Sequence, residues 1–249
     1  STFIKGVATV DVSGLAEGTY SVHIKYYGLD NDNYTTVEND TTFKVSKLSS
    51  KVTVEVDNIT YGDNAAVNVT VTIGAASGNV TITIGDEYNK TVGVTDGVIS
   101  VIVPGLTAGD KTVNVTYNGN YKYLPSSNST DFTVSGADVS MIVITQNVTY
   151  GENETITVYV NAEGNVTFRI DNNDYGTVNI TGGKAVLNVP LEAGNHTVEA
   201  IYNGAPGFNS TSLKANFTVE KADPIMSIDV QNIIFGGVEH IRVHVNAEG

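Results

Sequence analysis

The sequence predicts an all-β chain organised as a tandem array of antiparallel sandwiches, and three observations carry that expectation. Apolar and polar residues alternate along most of its length. No stretch places apolar residues at the i, i+3, i+4, i+7 spacing of a helix. Blocks of sequence also recur at a nearly constant interval of about 85–90 residues. In Val67-Asn68-Val69-Thr70-Val71-Thr72-Ile73 every second residue is apolar, and Thr53-Val54-Glu55-Val56, Thr157-Val158-Tyr159-Val160 and Lys184-Ala185-Val186-Leu187-Asn188-Val189 repeat the pattern. A period of two sorts side chains onto the two faces of a pleated strand, and the abundance of Val, Ile, Thr and Tyr suits such a surface.

Three blocks define the repeat. Asn58-Ile59-Thr60-Tyr61-Gly62-Asp63-Asn64 returns as Asn147-Val148-Thr149-Tyr150-Gly151-Glu152-Asn153 and, degraded, as Asn232-Ile233-Ile234-Phe235-Gly236-Gly237. The stretch Leu106–Gly119 returns without gaps at Leu191–Gly204 and Leu15–Gly28. Its frame is Leu, Gly three residues on, Ser/Thr-Val, and Tyr117, Tyr202 or Tyr26 two residues before a glycine. Phe132-Thr133-Val134, Phe217-Thr218-Val219 and Phe43-Lys44-Val45 close each unit. A unit this long with about seven short strands has the size of an immunoglobulin-like sandwich. In the second complete unit the strands are expected near 140–146, 154–161, 165–171, 175–180, 183–189, 195–202 and 214–220, with Gly-Asp, Gly-Asn, Asp-Gly and Asn-Gly pairs as turns. The chain has no cysteine and no tryptophan, so apolar packing must hold each core, with Tyr150 and Tyr202 as its expected large members.

The units divide the chain into 1–47 (the second half of a repeat), 48–136 and 137–221 (complete repeats), and 222–249 (the first two strands of another). Short joints at Ser135-Gly136-Ala137-Asp138 and Glu220-Lys221-Ala222-Asp223-Pro224 predict a semi-rigid rod. Gly249 aligns with Gly164 and Ser1 with Thr177, so the two end pieces together lack only the counterpart of Asn165 to Gly176. A two-strand piece is unstable alone. The expectation is that these pieces pack against neighbouring repeats, or against copies of the same chain head to tail.

Tyr-Asn-Gly, a polar loop bearing an aromatic (Tyr123, Phe208, Tyr34) and then Phe-x-Val together resemble the bacterial Ig-like repeat modules that occur in tandem in large surface proteins. With the Asn and Thr richness and the absent cysteine, the chain is most similar to the adhesin-like proteins of methanogenic archaea. The resemblance implies a secreted, cell-surface stalk used in attachment, with surface glycans or proteins of another cell as partners. Its motifs are turn glycines and strand aromatics, which specify a module and not a ligand.

Composition narrows the function classes. Thirteen basic against 27 acidic residues give a net charge of −14, which repels a phosphate backbone and speaks against nucleic-acid binding. Without cysteine there is no disulfide, thiolate zinc site, iron–sulfur cluster or cysteine nucleophile. No apolar run approaches the ~20 residues of a membrane-spanning helix.

Asparagine is followed two residues later by Ser or Thr fifteen times, at Asn33, Asn39, Asn58, Asn68, Asn79, Asn89, Asn114, Asn128, Asn147, Asn153, Asn165, Asn179, Asn195, Asn209 and Asn216. With 26 Asn and 46 Ser plus Thr in 249 residues, chance would supply about five. The functional expectation is dense N-glycosylation of an extracellular surface, with Asn68 and Asn114 on solvent-facing sides of strands. The bland one is that Asn-Val-Thr is the turn-and-strand vocabulary of the repeat, copied by duplication.

Other candidates are thinner. Asp30-Asn31-Asp32-Asn33 and Asp171-Asn172-Asn173-Asp174 are oxygen-rich clusters that calcium accepts, yet neither has the glycine and glutamate of an EF-hand loop, and Asx turns account for them. His240 and His244 flank Arg242 on the polar side of a strand, and His23 and His196 are strand or turn residues, so no histidine is expected to hold a metal. The acids Asp86-Glu87 are expected to stand unpaired. No nucleophile elbow or phosphate-cradling glycine loop occurs, so neither catalytic residues nor a bound cofactor are expected. Lys111 stands where the other repeats have His196 and Tyr20, and Lys51 where the next has Ser140, so no lysine is kept for a crosslink common to all units. Tyr121, Tyr123 and Leu124 with Pro125 form an apolar loop expected to make contacts between units or with a partner.

The function expected is mechanical: an adhesin stalk, with two alternatives. One is a subunit of an extracellular filament whose half-domains are completed head to tail between copies. The other is an array of carbohydrate-binding modules.

Overall fold

The computed structural model describes residues 6–28, 33–72 and 77–246. Among them every regular element is a strand, and contacts divide the chain into two compact units, Ser1–Ser135 and Gly136–Gly249. Ile73, residues 30–32 of the first acidic cluster, and the terminal residues Ser1 and Gly249 lie outside the described residues.

The first unit opens with a hairpin of β1 (Gly18–Tyr26) and β2 (Val37–Val45). A complete sandwich follows, made of β3 (Val52–Glu55), β4 (Ile59–Thr60), β5 (Ala65–Val71), β6 (Gly78–Ile84), β7 (Tyr88–Val94), β8 (Val98–Val103), β9 (Gly109–Tyr117) and β10 (Ser126–Ser135). One sheet runs β3-β5-β8 and the other β4-β10-β9-β6-β7. The second unit repeats this topology with β11 (Met141–Ile144), β12 (Val148–Thr149), β13 (Asn153–Val160), β14 (Asn165–Ile170), β15 (Asn173–Asn179), β16 (Lys184–Pro190), β17 (Gly194–Tyr202) and β18 (Thr211–Glu220), in sheets β11-β13-β16 and β12-β18-β17-β14-β15. It ends in a hairpin of β19 (Met226–Asp229) and β20 (Arg242–Val245). The fold is a tandem of immunoglobulin-like β-sandwiches, as the alternation predicts.

All seven strands expected in the second repeat are present, and β12 is an addition to them. It is only two residues long and pairs in parallel with β18, too short for any periodicity to register. The motif around it has a clear physical purpose. The Thr218 amide donates to Asn147 Oδ1 (2.9 Å), the Tyr150 amide to the Glu220 carbonyl (2.8 Å), and the Thr149 amide to Glu152 Oε2 (3.1 Å). In the first repeat Asn58 Oδ1 accepts from Thr133, Tyr61 donates to Ser135, and Asp63 Oδ2 accepts from Thr60. Recurrence of Asn-x-Thr-Tyr-Gly-acid is therefore the recurrence of one strap that ties the front of a sandwich to its last strand.

Each core lies between its two sheets. In the first, Val67, Val69, Val80, Ile82, Val113, Val115 and Tyr117 are fully buried, and in the second Ile156, Val158, Val166, Phe168, Val198 and Tyr202 are. Tyr117 and Tyr202 do more than fill space. Tyr117 Oη donates to the Ser77 carbonyl at 3.0 Å and Tyr202 Oη to the Glu163 carbonyl at 2.7 Å, tethering the fifth-to-last turn of each repeat to its central strand. Burial raises the pKa of both phenols, with Tyr123 adding to the effect on Tyr117, so they stay protonated donors. Gly78 and Gly164 lie against these rings at positive φ, where a Cβ would come within 3.0 Å and 3.2 Å of them.

Tyr150 departs from expectation. Its side chain is 48% exposed, because it begins a turn at the sandwich margin rather than a core-facing strand position; Phe168 fills the centre instead. The loop carrying Tyr123 meets both its own repeat and the preceding piece, whose residues 14–17 and 45–47 line a recess with Tyr121 and Lys122. Tyr123 is buried, Leu48 N donates to Lys122 O (2.9 Å), and Leu124 N returns to Leu48 O (2.9 Å). The second repeat makes the same clasp between Ala137 and the 207–209 loop (2.8 and 2.9 Å). The loop thus closes onto the start of its own repeat, leaving Tyr121 (85%) and Leu124 (44%) exposed.

Replacing Tyr202 by Phe keeps the ring and removes the tether. We expect it to destabilise the second sandwich by about 1 kcal/mol, read from urea titration by circular dichroism, whereas Tyr27→Phe at an exposed site leaves the midpoint unchanged.

Candidate functional surface

All the sequon asparagines are among the described residues, and all but the half-buried Asn165 are exposed. Alternation is the reason: Asn68 shares β5 with the inward Val67 and Val69, and Asn114 shares β9 with the inward Val113 and Val115. On the outer face of the first five-stranded sheet Thr83 pairs with Asn89 on one side and Asn114 on the other, so two sequons share one row. Thr81 and Thr91 join their hydroxyls at 2.9 Å beside them, and Thr112 and Thr133 donate to Asp131 and Asp110. That face is a flat field of hydroxyls, amides and carboxylates.

The sequons are not equivalent. Asn165 and Asn179 stand directly opposite each other on β14 and β15, and Asn165 Oδ1 also accepts from Asn203 Nδ2 at 2.6 Å. Asn209 Nδ2 donates to both Gly136 O and Asp138 Oδ1 at 3.0 Å, so a glycan on that nitrogen would displace one of these bonds. Asn58 and Asn147 have their oxygens engaged in the straps and their nitrogens unengaged by them.

Of the acids expected to stand unpaired, Glu87 does not. The turn before β7 brings Glu87 to Lys111, the third residue of β9; Thr107 adds an amide donor to Oε2 at 2.7 Å and a hydroxyl donor to Oε1 at 2.9 Å. Lys111 and then the Thr107 amide hold the Glu87 carboxyl below its ordinary pKa. The second repeat builds the same latch from different residues. His196 Nδ1 meets Asp171 Oδ2 at 2.6 Å, His196 Nε2 meets the Glu192 carbonyl at 2.8 Å, and the Thr197 amide donates to Asp171 Oδ1 at 2.9 Å. The His196 ring stacks on Phe217, 5.5 Å between centroids, and its side chain is only 12% exposed. In the opening hairpin Tyr20 takes this place, donating to Ala16 O at 2.9 Å and stacking on Phe43 at 5.6 Å. One strand position thus takes Lys, His or Tyr, each reaching back four residues and pairing across the strands with Phe132, Phe217 or Phe43, on the last two of which the His and Tyr rings stack.

Both His196 nitrogens face acceptors, a geometry complete only for the imidazolium. Burial opposes the charge, but Asp171 and the Glu192 carbonyl outweigh it, and the pKa is raised. Asp171 is lowered, by the Thr197 amide first and His196 second. With one nitrogen on a carboxylate and the other on a backbone carbonyl, His196 has no nitrogen directed at a nucleophile, and the arrangement latches a turn rather than moves a proton. His23 and His244 pair with Asp40 (2.7 Å) and Asp229 (3.1 Å) on exposed strands, and His240 precedes β20.

In the cluster Asp171-Asn172-Asn173-Asp174 the first two residues form the turn between β14 and β15 and the last two begin β15. Asp171 and Asn172 adopt positive φ (52° and 68°), the left-handed pair of a type I′ hairpin, and Asp174 caps the Gly176 amide at 2.7 Å. Asp171 has both oxygens committed. Among the described residues no three His, Asp or Glu side chains converge. A shallow recess of about 330 Å³ beside the latch mixes Arg169 and Lys214 with Asp171 and Glu199 and focuses neither sign of charge.

Sequence reading missed Glu154, a carboxylate with no exposure. Oε1 accepts the Gln146 amide at 2.9 Å, while Oε2 has no hydrogen-bond partner. Its parity with Ile156 and Val158 was the available signal. Glu239 accepts from Gln231 in the same way at 2.6 Å, so the pair closes a loop, a position filled by Ala65 in the first repeat.

Residues 142–220 match the family model of the bacterial Ig-like domain (group 3), and residues 42–134 match that of the IPT/TIG domain. These matches cover the two complete sandwiches and agree with Ig-like repeat modules. No curated protein matches the chain. Among solved structures, the chain is similar to fibronectin(III)-like modules of Clostridium thermocellum CbhA (14% identity, 69% of this chain, 95% of that one, TM-score 0.31). It is also similar to the Yersinia pseudotuberculosis adhesin InvE (16%, 68% and 59%, TM-score 0.36) and to the BSP domain of a biofilm associated protein (25%, 69% and 30%, TM-score 0.24). The chain thus spans less than two thirds of the latter two.

The latch makes stability depend on pH differently in the two repeats. A raised His196 contributes fully below the unfolded histidine pKa of about 6.5 and is lost as pH rises through its folded value; a lowered Asp171 contributes above about 4 and is lost on acidification. Taking the pH from about 6 to about 8 is expected to lower the urea midpoint of the second sandwich, and His196→Lys, which copies the first, removes that fall. Chelator should leave the same midpoint unchanged, because Asp171 is already satisfied by His196 and Thr197.

Proposed function

We propose that this chain is a non-catalytic structural segment of an extracellular surface protein, acting as a stalk that spaces an attachment function from the cell. One observation carries the proposal. Two sandwiches on the same register each bury their own apolar core and turn outward faces of Thr, Asn, Ser and Asp, and among the described residues no nucleophile, base and oxyanion donors converge. Such modules are suited to length and solubility. The Ig-like matches support this, as do the net charge of −14 and the sparse lysine and arginine.

The finer reading is an adhesin-like glycoprotein of an archaeal, methanogen type. It rests on the Asn/Thr-rich repeat and on the exposure of the sequons, which leaves most acceptor amides open to a glycosyltransferase. In this reading glycans cover the flat hydroxyl faces, and surface glycans or proteins of another cell are the partners of the parent protein. Metal and cofactor have no part in it. No helix among the described residues is long and apolar enough to cross a membrane.

Antibodies raised against this chain should label intact, unpermeabilised cells of its source. The chain released from those cells should exceed the mass of the bare polypeptide by whole glycan increments. Labelling only after permeabilisation would overturn the surface location, and an unmodified mass would overturn the glycan cover alone.

A further inference from the structure

Alternation leaves the outward face of each three-stranded sheet to residues that water satisfies, and the second sandwich departs from this. Ile142 pairs with Tyr159 and Ile144 with Thr157 across β11 and β13, and Val186 of β16 lies opposite Thr157 on the other side. Ile142, Ile144 and Tyr159 are 58%, 44% and 45% exposed. The inner face of these strands is already closed by Val198, Phe217 and Val219, so the outer one is not a half-built core.

The repeat does not require this apolar face. In the first sandwich the same register places Thr53, Thr70, Glu55 and Ser100 there, around Asn68 at the centre. In β19–β20 it places Ser227, His244 and Asp229, with Arg242 at the centre. Val98 and Ile102 are exposed on the first face, but they stand towards the two ends of β8 with Ser100 between them. Only around Thr157 do the apolar side chains become contiguous.

Shape and charge indicate what fits the face. On the central strand Tyr159 projects, whereas Thr157, ~7 Å away along it, is half-buried between Ile144 and Val186. A knob and a hollow side by side on one strand complement their own image under a two-fold rotation. The other outward positions of the three strands hold Asn153, Thr155, Lys184, Asn188 and Pro190, none of them acidic. Two copies of a chain carrying −14 repel wherever carboxylates meet, and this face brings none. It is three strands wide and the eight residues of β13 long. At ~14 by ~27 Å with side-chain relief, it buries about 500 Å² per copy and about 1,000 Å² per pair, the lower bound for a specific interface.

We propose that the outward face of β11-β13-β16 is a two-fold dimerisation surface, packed face to face on the same face of a second copy, with each Tyr159 seated over the other's Thr157. The surface is used up by its own image, so assembly stops at two chains. An area at the lower bound makes the dimer weak and dependent on concentration. Asn153 is ~14 Å from Thr157 along β13, at the rim, and a glycan there leaves the centre free. In a stalk the contact would join two chains side by side, but the inference concerns the chain alone and does not rest on the cell-surface reading.

Sedimentation equilibrium over a dilution series, in about 0.05 M and about 0.5 M salt, tests the proposal. Wild type is expected to show a monomer–dimer equilibrium that salt strengthens, because screening relieves the repulsion and the contact has no ion pair to lose. Tyr159→Thr and Ile144→Glu install the residues of the first sandwich, and each is expected to weaken the dimer by about tenfold or more while the urea midpoint holds. Should Ile144→Glu lower that midpoint, Tyr159→Thr decides alone. Ile102→Glu, on the outward face of the first sandwich, is expected to leave the dimer unchanged. A wild type monomeric at every concentration, growth past the dimer, dissociation by salt, a dimer that Tyr159→Thr leaves intact, or equal loss in Ile102→Glu would each overturn the proposal.

Discussion

Closure of one hairpin over a second sheet is the interaction on which the rest of this structure depends. An isolated pair of strands cannot bury both faces and is marginal in water. β9–β10 and β17–β18 solve this by laying Val113, Val115, Phe132 and Val134, or Val198, Phe217 and Val219, against the strands that open each repeat. The register is common to all three hairpins, from a glycine paired with a valine to a tyrosine at the far end. That register turns Val113, Val115 and Tyr117, or Val198, Ala200 and Tyr202, inward and leaves Asn114 or Thr197 on the opposite face.

Around that closure the repeat carries a small set of polar devices, each holding one margin. The Asn-x-Thr-Tyr-Gly-acid strap ties the front to the last strand, the buried tyrosine tethers a turn, and the Lys111–Glu87 or His196–Asp171 latch fastens another. Their chemistry is interchangeable where geometry is not: one position accepts Lys, His or Tyr because each reaches the carbonyl or hydroxyl side of its turn from opposite a phenylalanine of the next strand. This tolerance explains why a repeat can diverge in sequence while its sheets keep one order.

The outward faces are left to residues that water satisfies, and there the sequons accumulate. Asn58 and Asn147 recur because their oxygens close the strap, while Asn68, Asn89 and Asn114 project from strand faces where no such bond holds them. The strap thus accounts for Asn58 and Asn147 and not for Asn68, Asn89 and Asn114.

The sequence alone determined the strands, their faces and the repeat, since a period of two and a recurring block report local geometry that each residue carries with it. Val67, Val69, Val113 and Val115 were assigned inward, and Asn68 and Asn114 outward, from neighbours two positions away. Only the tertiary structure decided matters that depend on distant parts of the chain. Tyr150 follows the same pattern as its neighbours yet lies at a margin, because β12 is a two-residue parallel strand set by β18, about 70 residues on. Glu87 and Lys111 looked unrelated, and so did His196 and Asp171, since each pair meets only when a turn from one hairpin folds beside the start of another strand. The clasp of Tyr123 on Leu48, and the burial of Glu154 among valines and isoleucines, were fixed by closure for the same reason: a side chain's partner across a sandwich is set by sheet order, which no local period encodes.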